Sequence, residues 1–365
     1  MATTLATIET GHADMIHDAQ FDYYGRKLAT CSSDRVIRVY DIAGDAAGAP
    51  PKHVADIKSH DGPVWQVAWS HPRFGSLIAS CGYDRRVCVH RETEPAKWTR
   101  VYAYEGHGSS GALFCLLGCS WAWRRRPHPT PPPATPQCTA VNSVAWAPQE
   151  VGLHLAAASS DGRVSVLSHR DDDSWAAVSW GDAPVGVNAV SWAPAAHIGG
   201  SEAAGVEGAG PVPVKRIATA GCDNLVRVYR FGGAAAAGGG GAGEGGSGAG
   251  GWSLEHKLAG HKDWVRDVAW SPASGLGVNL MASCSDDGSV LIWRQGASGA
   301  AWSVEALPAF PAPVWRVSWN TTGTLLAVSC GDNSVTLWKE NLAGHWQQIS
   351  TVPAPSLPAA PRPGY

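Results

Sequence analysis

Charge is scarce in this chain: Asp, Glu, Lys and Arg make up 16% of its 365 residues. The 28 basic residues are nearly balanced by 31 acidic ones, for a net charge of −3. That balance leaves no electrostatic footprint for nucleic acid or for an anionic membrane surface. The nine cysteines are an odd number without the spacing of a disulfide framework, and no signal-peptide pattern precedes them. Cys31, Cys81 and Cys284 each stand three residues before a turn aspartate, so they read as reduced core thiols of a protein facing the cytosol or nucleus. An apolar run from Ala112 to Trp123 is too short to span a bilayer core of roughly 30 Å. No nucleophile–base pair, metal-ligand set or phosphate loop stands outside the repeats described next, which sets an enzyme aside and calls for no cofactor. Phenylalanine is rare as well, five against eighteen tryptophans, and most tryptophans fall at repeat positions.

What is present is a repeating pattern, most complete over residues 260–293. Gly260-His261 is followed by Val265-Arg-Asp-Val268-Ala-Trp270, by Met281-Ala-Ser283, and by Asp287-Gly-Ser-Val290-Leu-Ile-Trp293. Three short alternating apolar segments separated by turn residues predict strands joined by hairpins. The first-strand signature Val-x-x-Val-x-Trp recurs at Val64–Trp69, Val141–Trp146, Val187–Trp192, Val265–Trp270 and Val314–Trp319, with the variant Ile16–Phe21 in front. Each is followed by a turn aspartate: Asp34, Asp84, Asp161, Asp223, Asp287 and Asp332. An aromatic or apolar residue stands six further on, and Trp98, Trp175, Trp252, Trp302 and Trp346 open a fourth strand in five repeats. Six repeats of four strands predict an all-β, six-bladed β-propeller, because a single blade cannot bury both of its faces alone.

His261, Ser283, Asp287 and Trp293 stand at the spacing of the WD40 structural tetrad, in which imidazole, hydroxyl, carboxylate and indole form one buried hydrogen-bonded chain. A buried carboxylate needs such partners, so this His, Ser and Asp read as structural rather than as a catalytic triad. The tetrad thins out elsewhere. Repeat one has His12, Thr30, Asp34 and Tyr40; repeat two has His60, Ser80 and Asp84, with His90 at the tryptophan position. Repeats three, four and six keep the turn aspartate, which is able to satisfy turn N–H groups without the other members.

The predicted domain covers residues 1–350, with repeats at about 11–58, 60–104, 107–180, 182–258, 260–307 and 310–350, and a Pro/Ala-rich tail at 351–365. Insertions interrupt it at 108–138, 195–213 and 232–251. The first joins the apolar run to Arg124-Arg-Arg126 and a Pro-rich tract, and reads as a loop; its Cys115, Cys119, His128 and Cys138 match no ordinary zinc-finger spacing. Gly241-Ala-Gly243-Glu-Gly-Gly246 formally fits a dinucleotide fingerprint, but it opens no helix and belongs to no βαβ unit. The strand count carries a further expectation. Repeat six has its own fourth strand from Trp346 to Ser350, and Thr3–Ile8 is strand-like too, one strand too many for a sealed six-blade ring. The ring is therefore expected to be open, with Leu5 and Ile8 facing a gap that a partner's strands complete as a seventh blade.

Longer strings narrow the resemblance. Met15-Ile-His-Asp-Ala19 with Asp22–Asp34, Gly62-Pro-Val-Trp65, His71–Gly75, Ala158–Val166, Asp223-Asn-Leu-Val226, Asp263–Asp267 and Gly331–Asn341 resemble the Sec-thirteen family of WD40 propellers, in register from about 9 to about 350. The resemblance implies a scaffold subunit shared by the COPII outer coat, which serves ER-to-Golgi transport, and the Y-complex of the nuclear pore. Its implied partners are a solenoid–propeller coat protein and a solenoid nucleoporin, with a nutrient-signalling complex in some lineages. Implied locations are the cytoplasmic side of the ER membrane and its vesicles, without insertion, and the nuclear envelope. Two rivals share the fold: the sister six-bladed propeller of the Y-complex, and a WD40 adaptor that reads peptides at the channel mouth.

Overall fold

In a computed structural model, the structure describes residues 8–42, 51–108, 140–195, 201–202, 212–232, 249–272, 278–296 and 300–352. Blade one is β1 (Ile16–Phe21), β2 (Lys27–Ser32), β3 (Ile37–Asp41) and β4 (Lys52–Ile57). Blade two is β5 (Val64–Trp69), β6 (Leu77–Gly82), β7 (Val87–Glu94) and β8 (Lys97–Tyr104). Blade three is β9 (Val141–Trp146), β10 (His154–Ser159), β11 (Arg163–His169) and β12 (Trp175–Gly181). In blade four, β13 (Val187–Trp192) is separated from β16 (Arg216–Gly221), β17 (Leu225–Phe231) and β18 (Trp252–Ala259) by a small ladder, β14 (Ser201–Glu202) with β15 (Val212–Pro213). Blade five is β19 (Val265–Trp270), β20 (Asn279–Ser285), β21 (Val290–Gln295) and β22 (Ser303–Ala306). Blade six is β23 (Val314–Trp319), β24 (Leu325–Cys330), β25 (Val335–Glu340) and β26 (Trp346–Val352). Every blade is an antiparallel meander of four strands, consecutive in the chain except where β14 and β15 interrupt blade four, and together they form a six-bladed β-propeller.

Each inner strand carries a bulge at its second residue. His17, Trp65, Asn142, Asn188, Arg266 and Trp315 are skipped in the pairing with the neighbouring strand. The extra residue re-aims the side chains that follow it. In blades one, two, three and five the third-position side chain then accepts a backbone N–H of the next blade. Asp18 takes Val67 N–H at 3.3 Å, Gln66 takes Val144 at 2.7 Å, Ser143 takes Val190 at 3.3 Å and Asp267 takes Val317 at 3.1 Å. The tryptophan that closes the signature reaches back the other way. The indole N–H groups of Trp69, Trp146, Trp192 and Trp319 donate to the carbonyls of Gln20, Ala68, Ala145 and Ala269 of the preceding blade, at 2.9 to 3.0 Å. The Val-x-x-Val-x-Trp pattern is thus both a strand signature and a fastener between blades.

Apolar cores lie between blades rather than within them. Five clusters join blades one and two, two and three, three and four, four and five, and five and six. Among the described residues no such cluster joins blade six to blade one. Cys31, Cys81 and Cys284 are buried free thiols in these layers, and burial raises all three well out of the reactive range.

The 195–213 loop expected from sequence thus holds a two-residue ladder, and the last strand runs to Val352 rather than Ser350. The 108–138 insertion from residue 109 to its end, most of 232–251, and the tail from 353 lie outside the described residues. So do Leu5 and the rest of the expected strand as far as residue 7; Ile8 is half-buried and outside any strand.

Candidate functional site: tetrads and the junction of blades six and one

The tetrads hold each blade's second and third strands to the loop that precedes it. In blade five the indole N–H of Trp293 donates to Ser283 Oγ at 2.8 Å, and the Ser283 hydroxyl donates to His261 Nε2 at 2.7 Å. His261 Nδ1–H then donates to Ser289 Oγ at 2.9 Å, while Asp287 Oδ2 stands 3.7 Å away. The expected direct bond from His261 to Asp287 is therefore replaced by one to the hydroxyl two residues further along the turn. Asp287 accepts instead from the backbone N–H groups of Lys262, at 2.7 Å, and Ser289, at 2.8 Å. Burial outweighs the Asp287 carboxylate and lowers the His261 pKa to about 4.

Blades one and two make the direct bond. His12 donates to Asp34 at 2.8 Å and is bonded to Thr30 at 2.8 Å, while Tyr40 donates to the carbonyl of Thr10 at 2.5 Å. His60 donates to Asp84 at 2.9 Å and is bonded to Ser80 at 2.8 Å. Burial opposes the charge on His60, but the hydrogen bond to Asp84, with Cys88 next, outweighs it and lifts the imidazole to about 9. His90, at the tryptophan position, is fully buried and pushed down to about 3 by burial, with the charge of His60 next. Blade three retains His107, 3.3 Å from Asp161.

Blade four exchanges the chemistry. Asp182 occupies the histidine position and accepts from the Tyr229 hydroxyl, and Arg227 enters as counter-ion to Asp223 and Asp182. Asp223 therefore engages Arg227, whereas Asp34, Asp84, Asp161, Asp287 and Asp332 each accept the N–H two residues on, at 2.8 to 3.2 Å. In blade six Phe310 stands at the histidine position, packed edge-on against Trp338, and Asp332 is left with its turn alone. These side chains hold turns together. Among the described residues no group of three or more His, Cys, Asp or Glu is placed to hold a metal ion.

The junction of blades six and one differs from the other five. In blade five, Leu280, Ala282, Cys284, Val290 and Ile292 are buried against blade six. Their counterparts in blade six, Leu325, Ala327, Ser329, Val335 and Leu337, are only half-buried. β24 alternates buried and half-buried residues, whereas β6, β16 and β20 are buried at every position. The fasteners stop at the same place. Phe21 stands where blades two to six have tryptophan; it has no N–H to donate backwards and is 58% exposed. Arg316 stands where Asp18, Gln66 and Asp267 present acceptors, and its guanidinium reaches Asp18 of blade one at 3.3 Å. This series was readable in the sequence as the one Phe among the tryptophans, but its meaning needed the pairing between blades.

The family signature for the WD domain, G-beta repeat, matches residues 3–41, 51–91, 252–294 and 304–339. The chain is 42% identical over 365 aligned positions to "Protein transport protein SEC13" of Mycosarcoma maydis, covering 94% of this chain and 93% of that protein. It is 41% identical to "Protein SEC13 homolog" of Drosophila melanogaster, over 96% of this chain and 84% of the relative. With "Protein SEC13 homolog" of Dictyostelium discoideum the identity is 43%, over 94% and 97%. Identity at this level along nearly the whole of both chains, on a six-bladed propeller with these repeats, places the protein in the Sec-thirteen (SEC13) family of WD40 propellers.

Proposed function

We propose that this chain is a non-enzymatic scaffold subunit of protein transport, serving the COPII outer coat and the nuclear-pore Y-complex, and that it works by accepting a β-blade from a solenoid partner between blades six and one. The observation that carries this reading is the interrupted series of inter-blade cores. Five junctions are filled by apolar clusters, and the blade-six face at the sixth has the same kind of side chains left half-buried. A sheet face of that kind is stabilised by another sheet, at about 25 cal/mol per Å² of apolar surface removed from water. Strands added at this junction supply main-chain pairing as well as cover. The names of the relatives, protein transport proteins, support the same role.

The adaptor reading is weaker on the residues. Arg266, at the bulge of the blade-five inner strand, lies 4.8 Å from the Trp315 ring and 5.2 Å from that of Trp264, but its guanidinium is already committed to Asp286. An arginine neutralised in this way has little to offer an acidic peptide.

The test is to express the chain alone and with the blade-forming segment of its solenoid partner. Alone it is expected to self-associate or to be poorly soluble; together the two are expected to form a stable one-to-one complex. Cross-links in the isolated chain that pair residues 3–9 with 346–352 in a sealed, monodisperse ring overturn the proposal.

A further inference from the structure

The turn between the second and third strands needs a left-handed residue directly after its aspartate. Blades three to six meet this with residues that adopt it readily: Gly162 at φ 80°, Asn224 at 67°, Gly288 at 74° and Asn333 at 65°. Blades one and two use arginine, Arg35 at φ 70° and Arg85 at φ 67°. Arginine gains nothing from this conformation and is strained by its Cβ, so the turn itself does not account for the choice. Both side chains are exposed, and among the described residues neither guanidinium has a carboxylate or hydrogen-bond partner. The carboxylates beside the blade-two turn are already engaged, since Arg86 holds both Asp61, at 2.6 Å, and Glu105, at 2.8 Å.

An exposed apolar side chain stands beside each arginine. The Met15 carbonyl accepts the Ser33 N–H at 2.9 Å, which places Met15, 68% exposed, next to the Arg35 turn. Tyr83, 40% exposed, is two residues from Arg85. The two turns lie at the same end of adjacent blades joined by a common core. Two free guanidinium groups flanked by a methionine and a tyrosine have the make-up of a protein-binding surface, in which Arg and aromatic side chains dominate.

We propose that the Arg35–Arg85 corner of blades one and two is a docking surface for an acidic segment of a partner protein. A protein segment fits better than a membrane or a nucleic acid, because the chain carries a net charge of −3, which disfavours a polyanion, while two arginines and their apolar neighbours suit a short acidic segment. The surface is separate from the blade six–blade one junction and does not depend on it.

The test compares three forms of the full chain: the parent, Arg35→Asn/Arg85→Asn, and Arg35→Lys/Arg85→Lys. Asparagine relieves the backbone strain and removes the charge; lysine keeps both. The probe is a fluorescein-labelled deca-glutamate peptide, read by anisotropy against a salt series, with vesicles of phosphatidylserine and phosphatidylcholine in parallel. The parent and the lysine form are expected to bind the peptide, more weakly as salt rises, and the asparagine form to bind about fivefold to tenfold more weakly. The asparagine form should also melt no lower than the parent, which separates lost binding from lost structure. Equal peptide binding by all three forms overturns the proposal. So does arginine-dependent binding to the vesicles without binding to the peptide, which makes the corner a lipid site.

Discussion

Arg316 Nη1 lies 3.3 Å from Oδ1 of Asp18, an ion pair that joins the last blade to the first across 298 positions of chain. It stands where blades one, two, three and five use an acceptor for a backbone N–H, so charge spans the junction at which the fasteners stop. Arg316 also acts on Asp267 of blade five, whose carboxyl burial raises to about 6 while the guanidinium pulls it down.

Arg316→Ala is expected to cost about 1–2 kcal/mol at neutral pH, because Asp18 and Asp267 lose their shared cation. The folded pKa of Asp267 lies above its unfolded value, so ionising it costs stability as pH rises from about 4 through 6, and the penalty is complete above that. Removing Arg316 carries the window higher and deepens the penalty. Urea titrations should therefore show a deficit that is small at pH 4.5 and largest above pH 7; a deficit independent of pH denies Arg316 this role.

Ser283→Ala is expected to destabilise the domain by about 2–3 kcal/mol, since it strips a partner from both Trp293 and His261 in a buried site. Asp287→Ala should cost about 1–3 kcal/mol, nearer the lower end because His261 keeps Ser289. If Asp287→Ala melts at the parent's temperature, its bonds to Lys262 and Ser289 hold nothing.

The acid limb of stability should come largely from histidines buried without charge. His261 at about 4 and His90 at about 3 lie below the unfolded value, so both cost stability once pH falls below about 6.5. His90→Phe should raise the melting temperature, with the gain growing as pH is lowered from 6.5 toward 4. His60 works in the opposite sense: its contribution is complete below about 6.5 and is lost as pH rises through 9. A gain for His90→Phe that is the same at pH 5 and pH 8 contradicts the assignment.

At the blade junctions, Trp319→Phe removes the donor to the Ala269 carbonyl and should cost about 1 kcal/mol. The reverse change, Phe21→Trp, should leave the melting temperature of the isolated chain unaltered if the junction of blades six and one is open as proposed, since no blade-six carbonyl then meets the indole N–H. A clear stabilisation by Phe21→Trp reveals a sealed junction.

Leu337→Asp places a charge on the half-buried face of blade six and should weaken the partner complex at least tenfold while the circular-dichroism spectrum stays that of the parent. Ile8→Asp and Leu5→Asp carry the same expectation from the strand count. Lys262→Ala should do little, since the bond at that residue comes from its backbone N–H. Parent-like affinity for Leu337→Asp in a pull-down moves the partner elsewhere.

The fold was legible because each blade is local. Strand, turn and tetrad positions recur within about forty residues, and the period-2 pattern marks every inner strand. The turn aspartates could be read for the same reason, since a carboxylate bonds N–H groups two residues away. The placement of Ser289 between His261 and Asp287 was not readable, because spacing gives neighbours but not which of two acceptors a ring nitrogen meets. Blade four hid its substitute for the same reason: Asp182 for histidine and Arg227 as counter-ion make a tetrad of reversed charge.

The sequence by itself determined that the chain is a six-fold repeat of four-stranded units with an aspartate in each turn, because those properties rest on short-range periodicity and side-chain chemistry. Only the tertiary structure decided which junction lacks an apolar core among the described residues, what the terminal tryptophans bond to, and that Arg316 meets Asp18. Those facts depend on contacts between blades separated by 47 to 298 positions, and nothing in a local pattern specifies which distant carbonyl or carboxylate a side chain will reach once the ring has formed.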